Sequence, residues 1–390
     1  MKTINFLLAS FLSLAILSGC ENERQSTEDF ITVDVTKSYP KKELILQDFA
    51  DVEYIVLETN DDFLTQGIVM DIGKEIMVVK NRLDGDIFIF DRKTGKALKK
   101  INRKGHGGEE YVYPGAIRFD ESNKELFVND VDTRKIYVYD LDGNFKRSFK
   151  HKEGAIYFNI VDFDKNNLIS FDGNFPDYGM PSRQQFAFVS KQDGSTKQIE
   201  FHFTEKKTEV VVKYLPNNAS ISTNAGGYFQ IRKYMGDLFL VELSSDTIFR
   251  YQSKNKMDPV IVRTPSIQSM MPEVFLWLSC QSDRYYFMET MKKTVDWETM
   301  KGLPRTDLVY DKQEKTIYEY AAYNDDYEPK RHVDMNDRFV NDEIVTWVRL
   351  DAYQLVDDYN KGRLKGKLKE IASTMDEEDN PVIMLIKPKI

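Results

Sequence analysis

The chain has 390 residues, enough for a large hydrophobic core, and 13% of them are aromatic. Its 63 acidic and 54 basic residues give a formal charge of -9 with the signs interspersed, which argues against nucleic acid as the main partner. With only Cys20 and Cys280 present, no disulfide framework is available and the fold must be held by its core.

Taken in chain order, the first feature is Lys2 followed by an apolar run from Ile4 to Leu17, broken only by Asn5, Ser10 and Ser13. A run of this length suits the core of a signal peptide and is short of the ~20 residues a membrane span needs. Leu17-Ser18-Gly19-Cys20 then resembles the lipobox of bacterial lipoproteins. The resemblance implies removal of residues 1–19, acylation of Cys20, and a polar tether over residues 20–29. Each buried acyl methylene contributes about 0.8 kcal/mol, so two or three chains hold durably where one does not. Glu21 and Glu23 resemble surface-export signals of some Bacteroides-type lipoproteins, although a plain solvated linker accounts for them equally well. The expectation is an exported protein, lipid-anchored to the cell envelope and to its outer membrane, with the periplasmic or surface side left open.

Phe30 to Val35 alternates as a strand with no unit of its own, and segment 30–36 is expected to join the last repeat and close it. A repeat then begins. Ile87-Phe88-Ile89-Phe90-Asp91 recurs 49 residues later as Ile136-Tyr137-Val138-Tyr139-Asp140, and after 50 more as Phe186-Ala187-Phe188-Val189-Ser190. Thr247 to Tyr251 and Asp307 to Asp311 continue the series at wider spacing. In the first three, a Gly-containing turn follows and then another strand. A period near 50 residues built from strands alone predicts one four-stranded blade per unit, because stacking blades around an axis buries faces that a lone sheet would expose. A sixth unit, from His332 to Ile390, offers strands at Asn341 to Val348 and Pro381 to Ile386. Between them Leu364, Leu368, Ile371 and Met375 form one apolar stripe, predicting a helix over Leu364 to Ser373 that packs on the body of the protein. The fold class is therefore all-β: a six-bladed β-propeller over residues 30–390, with a short helical insertion in the last blade.

The second unit resembles an NHL repeat. Gly105-His106-Gly107-Gly108-Glu109-Glu110-Tyr111, Pro114-Gly115, Val128-Asn129-Asp130 and Arg134-Lys135-Ile136 follow that family's order. With its terminal Asp379-Asn380-Pro381-Val382, the chain past residue 20 is similar to the six-bladed propeller lipoproteins of Bacteroides-type bacteria. The NHL signatures fade after the second unit, and the resemblance speaks to the fold far more than to an activity.

Enzymatic motifs are weak. Gly105 to Gly108 lacks the strand, helix and Lys-Ser/Thr of a phosphate loop and reads as a turn between blades. Asp162, Asp164 and Asn166 have calcium-loop spacing, but Gly173 stands where the bidentate Glu belongs. His106, His151, His202 and His332 show no zinc spacing, and there is no Gly-x-Ser-x-Gly elbow. No cofactor or metal is expected. Cys280, inside Phe275 to Cys280, reads as a buried structural thiol.

In propellers ligands usually sit over the channel, on the face made by connections between blades and between second and third strands. That placement selects Lys80 and Arg82 in the first unit, with His106, Glu109, Glu110, Tyr111, Asp130, Asp132 and Arg134 in the second, as ligand-binding candidates. Loops 172–184 and 290–305, the latter with Trp297, could cover the same face. The competing reading makes these residues ordinary turn formers and blade locks. Two functions follow: a non-catalytic binding or interaction propeller for a peptide, protein or glycan, or a propeller lyase or hydrolase using channel carboxylates, with or without a divalent metal.

Overall fold

A computed structural model describes residues 30–172, 185–216, 219–224, 228–253, 256–335 and 344–389. Their strands form six blades in a ring, a six-bladed β-propeller. Blade one is Ile68–Ile72, Ile76–Lys80, Asp86–Asp91 and Ala97–Asn102. Blade two is Ala116–Asp120, Glu125–Asp130, Lys135–Asp140 and Phe145–Lys150. Blade three is Tyr157–Asp162, Asn167–Asp172, Phe186–Ser190 and Thr196–Ile199. Ile231–Tyr234, Asp237–Leu240, Thr247–Ser253 and Lys256–Thr264 make blade four. Val274–Gln281, Tyr285–Lys292, Arg305–Asp311 and Thr316–Asn324 make blade five. Among the described residues blade six has three strands, Thr346–Leu350, Val382–Pro388 and Ala50–Val56.

All five repeated segments fall in the third strand of successive blades. Successive side chains on a strand face opposite sides of the sheet. In a propeller both sides are buried, each against a different neighbour. Ile87 and Ile89 pack into the core shared with blade two, whereas Phe88 and Phe90 pack into the core shared with blade six. Likewise Tyr137 and Tyr139 face blade one, and Ile136 and Val138 face blade three. Every pair of neighbouring blades encloses its own apolar cluster, and the one between blades six and one is built like the others. The ring is thus closed by the force that holds it elsewhere, apolar burial at about 25 cal/mol per Å2.

Closure differs from expectation in the strand that performs it. Segment 30–36 does not join the last blade. Ile31–Asp34 runs parallel to the outer strand of blade four, in register Ile31 with Ile261 and Asp34 with Thr264. Lys41–Ile45 caps blade five in the same parallel manner. Ala50–Val56 then completes blade six, antiparallel to Val382–Pro388 with Ala50 opposite Pro388 and Val56 opposite Val382. The amino-terminal segment therefore covers two open sheet edges before it closes the ring, and an uncovered edge is what a propeller must avoid. Alternation marked Ile31–Asp34 as a strand but carried no information about its partner.

The connection inside blade six carries two helices where one was expected. After the single turn α1 (Leu46–Phe49) come α2 (Ala352–Asn360) and α3 (Gly366–Ala372). Gly362, at φ +70°, ends α2 with a left-handed turn, and Leu364 forms a bridge with Tyr327, so α3 starts two residues later than its apolar stripe suggests. Leu364, Leu368, Ile371 and Met375 are all buried with Leu44, Leu46 and Leu355 between blades five and six, as the stripe implied. Cys280 is fully buried in the same cluster, and its thiol donates to Met335 O at 3.3 Å.

Candidate binding site at the channel mouth

The first strands of blades one, two and three lie side by side around the axis. At the end where these strands begin, a cavity of about 430 Å3 opens, lined by Ile68 to Met70, Ala116, Arg118, Phe158, Asn159, Gln230 and Trp347 among others. Lys80, at the end of the second strand of blade one, reaches the same wall.

Two cations define its electrostatics. Arg118 lies in Ala116-Ile117-Arg118-Phe119, where alternation sends Ile117 and Phe119 into the core shared with blade one and the guanidinium the other way. Its Nη1 donates to Met70 O at 2.7 Å and to Ile117 O at 2.6 Å, and its Nη2 donates to Asn159 Oδ1 at 3.3 Å, tying three blades together. Burial pushes the group down to about 10, opposed by the charges of Asp71 and Asp162. Lys80 is 4% exposed; its Nζ donates to Pro114 O at 2.6 Å and stands 4.5 Å from the centre of the Tyr113 ring. Burial pushes this ammonium down to about 8. The described lining adds the amides of Asn159 and Gln230 and the rings of Phe158, Tyr228, Phe229 and Trp347, and contains no carboxylate.

The other sequence-chosen residues divide into turn formers and exposed groups. Tyr111 is fully buried; its hydroxyl donates to Gly85 O at 2.7 Å and accepts from Arg103 N at 3.0 Å. Asp130, also fully buried, accepts from Val112 N at 2.7 Å, Asp132 N at 3.0 Å and Thr133 N at 3.2 Å. The Glu110 carboxylate accepts from Gly107 N at 2.8 Å and lies so close to Gly105 that a Cβ there would collide with it. Arg82, His106, Glu109, Asp132 and Arg134 are exposed and stand outside the described cavity lining. Only Lys80 of the nine lines the cavity.

The calcium-like spacing resolves into a hairpin turn: Asp164 Oδ1 accepts from Asn166 N at 2.8 Å and Asn167 N at 2.7 Å, while Asp162 pairs with Lys191. Among the described residues no three His, Cys, Asp or Glu side chains form a metal cluster. His151 is a packing group, with Nε2 2.8 Å from Asn129 Oδ1 and burial pushing it down to about 4. Loop residues 173–184 lie outside the described residues. Trp297 lies in the blade-five loop, with Lys213 Nζ 6.0 Å from its ring centre.

Sequence reasoning missed Arg118, Asn159, Phe158 and Trp347. A signal did exist for two of them: a charged or amide side chain at an inward position of a first strand, as in Ile117-Arg118-Phe119 and Phe158-Asn159-Ile160.

Fold and cavity together define a closed six-bladed propeller with a cationic, ring-lined pocket at one end of its channel. The chain belongs to the family described as Domain of unknown function (DUF4934), which matches residues 30–387. Among solved structures it is similar to BF0058 of Bacteroides fragilis NCTC 9343, named as an exported protein, with a TM-score of 0.57, 15% identity, and coverage of 90% of this chain and 100% of that one. A member of the DUF4221 family from Bacteroides vulgatus ATCC 8482 is similar with a TM-score of 0.51, 13% identity, and coverage of 88% and 99%. These likenesses concern the fold. No curated protein matches the chain. Among the described residues no helix is long and apolar enough to cross a membrane.

Proposed function

We propose that the protein is an exported binding module of the cell envelope, anchored through lipid on Cys20, that takes a peptide, protein or glycan at the mouth of its propeller channel. The observation that carries this reading is the cavity of about 430 Å3, where cations, amides and aromatic rings from four blades converge. Its volume falls within the ~300–1,000 Å3 of small-ligand sites, and mixed rings and polar groups are what such sites use for affinity and orientation. The similar exported protein from Bacteroides fragilis and the Leu17 to Cys20 motif support export and anchoring.

The test is a glycan and peptide screen on the mature chain carrying Cys20→Ser. A ligand whose binding is lost in Phe158→Ala but kept in Gln192→Ala, a polar position away from this cavity, supports the reading. Ligands that bind regardless of every cavity residue would refute it. Chemical conversion of the bound ligand would favour the lyase or hydrolase alternative instead. Anchoring is checked separately by feeding labelled palmitate, which should enter the wild-type protein and not Cys20→Ala.

A further inference from the structure

We infer that the cavity takes a small organic monoanion, with its carboxylate against the Lys80 ammonium and its ring or apolar body against Trp347 and Phe158. This rests on the binding-module reading above and specifies what the module binds. An ammonium carries three donors, and burying it without a counter-charge costs several kcal/mol. Lys80 gives one hydrogen bond, to Pro114 O, and no carboxylate pairs with it among the described residues. Other lysines that are buried, as Lys191 is, or half-buried, as Lys206 and Lys312 are, are treated differently. Lys191 lies 2.8 Å from Asp120 and 2.5 Å from Asp162, and Lys206 lies 2.8 Å from Glu242. Lys312, which also donates to a carbonyl, has the charges of Asp283 and Asp237 nearby. Lys80 is therefore a buried cation facing a cavity without its counter-ion.

The remaining lining sets the size and charge of the ligand. Arg118 already donates to two carbonyls and the Asn159 amide, so one cation rather than two is left for the ligand. The Nδ2 of Asn159, next to Arg118 in the same lining, is buried with no hydrogen-bond partner among the described residues. Ile68, Val69, Met70, Phe158 and Trp347 make much of the wall apolar, which a bare inorganic anion would leave uncovered. A carboxylate on a ring or hydrocarbon body satisfies both halves of the site.

Calorimetric titration of the mature Cys20→Ser chain near neutral pH tests this with D-glucuronate, N-acetylphenylalanine, the methyl ester of each, and inorganic phosphate. At least one acid should bind about tenfold or more tighter than its ester and than phosphate, a difference of about 1.4 kcal/mol. Glucuronate binding would assign an acidic sugar, and N-acetylphenylalanine binding a peptide-like carboxylate. Lys80→Met should lose that binding about tenfold while Lys80→Arg keeps part of it, with melting curves confirming that both fold. Equal binding of acid and ester, tighter binding of phosphate, unchanged binding in Lys80→Met, or no binding of either acid would overturn the inference. If the screen then yields a neutral ligand that depends on Phe158, the binding-module reading stands without it. If no ligand depends on the cavity, both fall.

Discussion

The connection from Arg103 to Gly115 and the cavity wall beside it both carry polar side chains on the same rim of the ring, and they use them in opposite ways. At the connection the groups drawn into the fold are occupied by it, while His106 and Glu109 stay exposed. Asp130 caps four backbone N–H groups, Tyr111 bridges two strands' ends, and Glu110 holds the turn at Gly107. At the cavity wall, Lys80 and the Asn159 amide are buried with donors in excess of acceptors. A motif rich in charged and aromatic residues is thus the lock between blades one and two, whereas an isolated lysine at a strand end and an asparagine inside another strand make the pocket. Buried polar groups are nearly always paired in folded proteins, so an excess of buried donors points to a ligand more strongly than a dense polar motif does.

Several substitutions would break or sharpen this contrast. The largest effect is expected from Asp130→Ala, which strands half-buried backbone N–H groups of the connection and of the adjoining Asp132–Thr133 turn. It should cost about 3 kcal/mol or more, read as a lower denaturant midpoint, because charge-assisted bonds contribute about 1.5–3 kcal/mol each and the orphaned donors add to the loss. Retention of wild-type stability would mean the connection is not a lock.

Next in size is the pH response of His151, which the fold holds neutral. Burial lowers it from an ordinary value of 6.5 to about 4, so between those values the unfolded chain binds the proton and the folded one does not. Stability should therefore be complete above about pH 6.5 and decline by roughly 2–3 kcal/mol as pH falls towards 4. Urea titrations at intervals across that range would show it, and the decline should shrink in His151→Gln.

A response of the same sign, in a more alkaline window, is expected at Lys80. Its lowered value means that the folded state disfavours the ammonium, so stability should rise as pH climbs from about 8 towards 10.5. Removing the charge in Lys80→Met should raise stability at neutral pH by roughly 1 kcal/mol, the lost bond to Pro114 O offsetting part of the gain. A large destabilisation would make Lys80 one more lock and erase the contrast. Least of all, Arg82→Ala and His106→Ala, both exposed, should change stability by no more than about 0.5 kcal/mol and leave cavity binding intact.

Much of the ring was legible in the sequence because third strands are buried on both faces. Ile87 to Phe90, Ile136 to Tyr139 and Phe186 to Val189 are unbroken apolar runs at a period near 50 residues, and the apolar stripe from Leu364 to Met375 correctly named a helix side that packs inward. The closing strand was not legible. Ile31–Asp34 read as a strand, but nothing local told an edge cap from a ring closer, the role that falls to Ala50–Val56. Helix α2 was missed because only Ala352, Leu355 and Asp358 of its residues are buried, too sparse a stripe to stand out.

The amino-acid sequence alone determined the repeat and the class of fold, since each depends on residues close together in the chain. Which edges the amino-terminal strands cover, and that Lys80, Arg118, Asn159 and Trp347 from four blades share one cavity, was decided only by tertiary structure. The physical reason is that pairing partners and pocket walls are set by blades meeting around an axis, a relation between residues as far apart as Ala50 and Pro388 that no local pattern encodes.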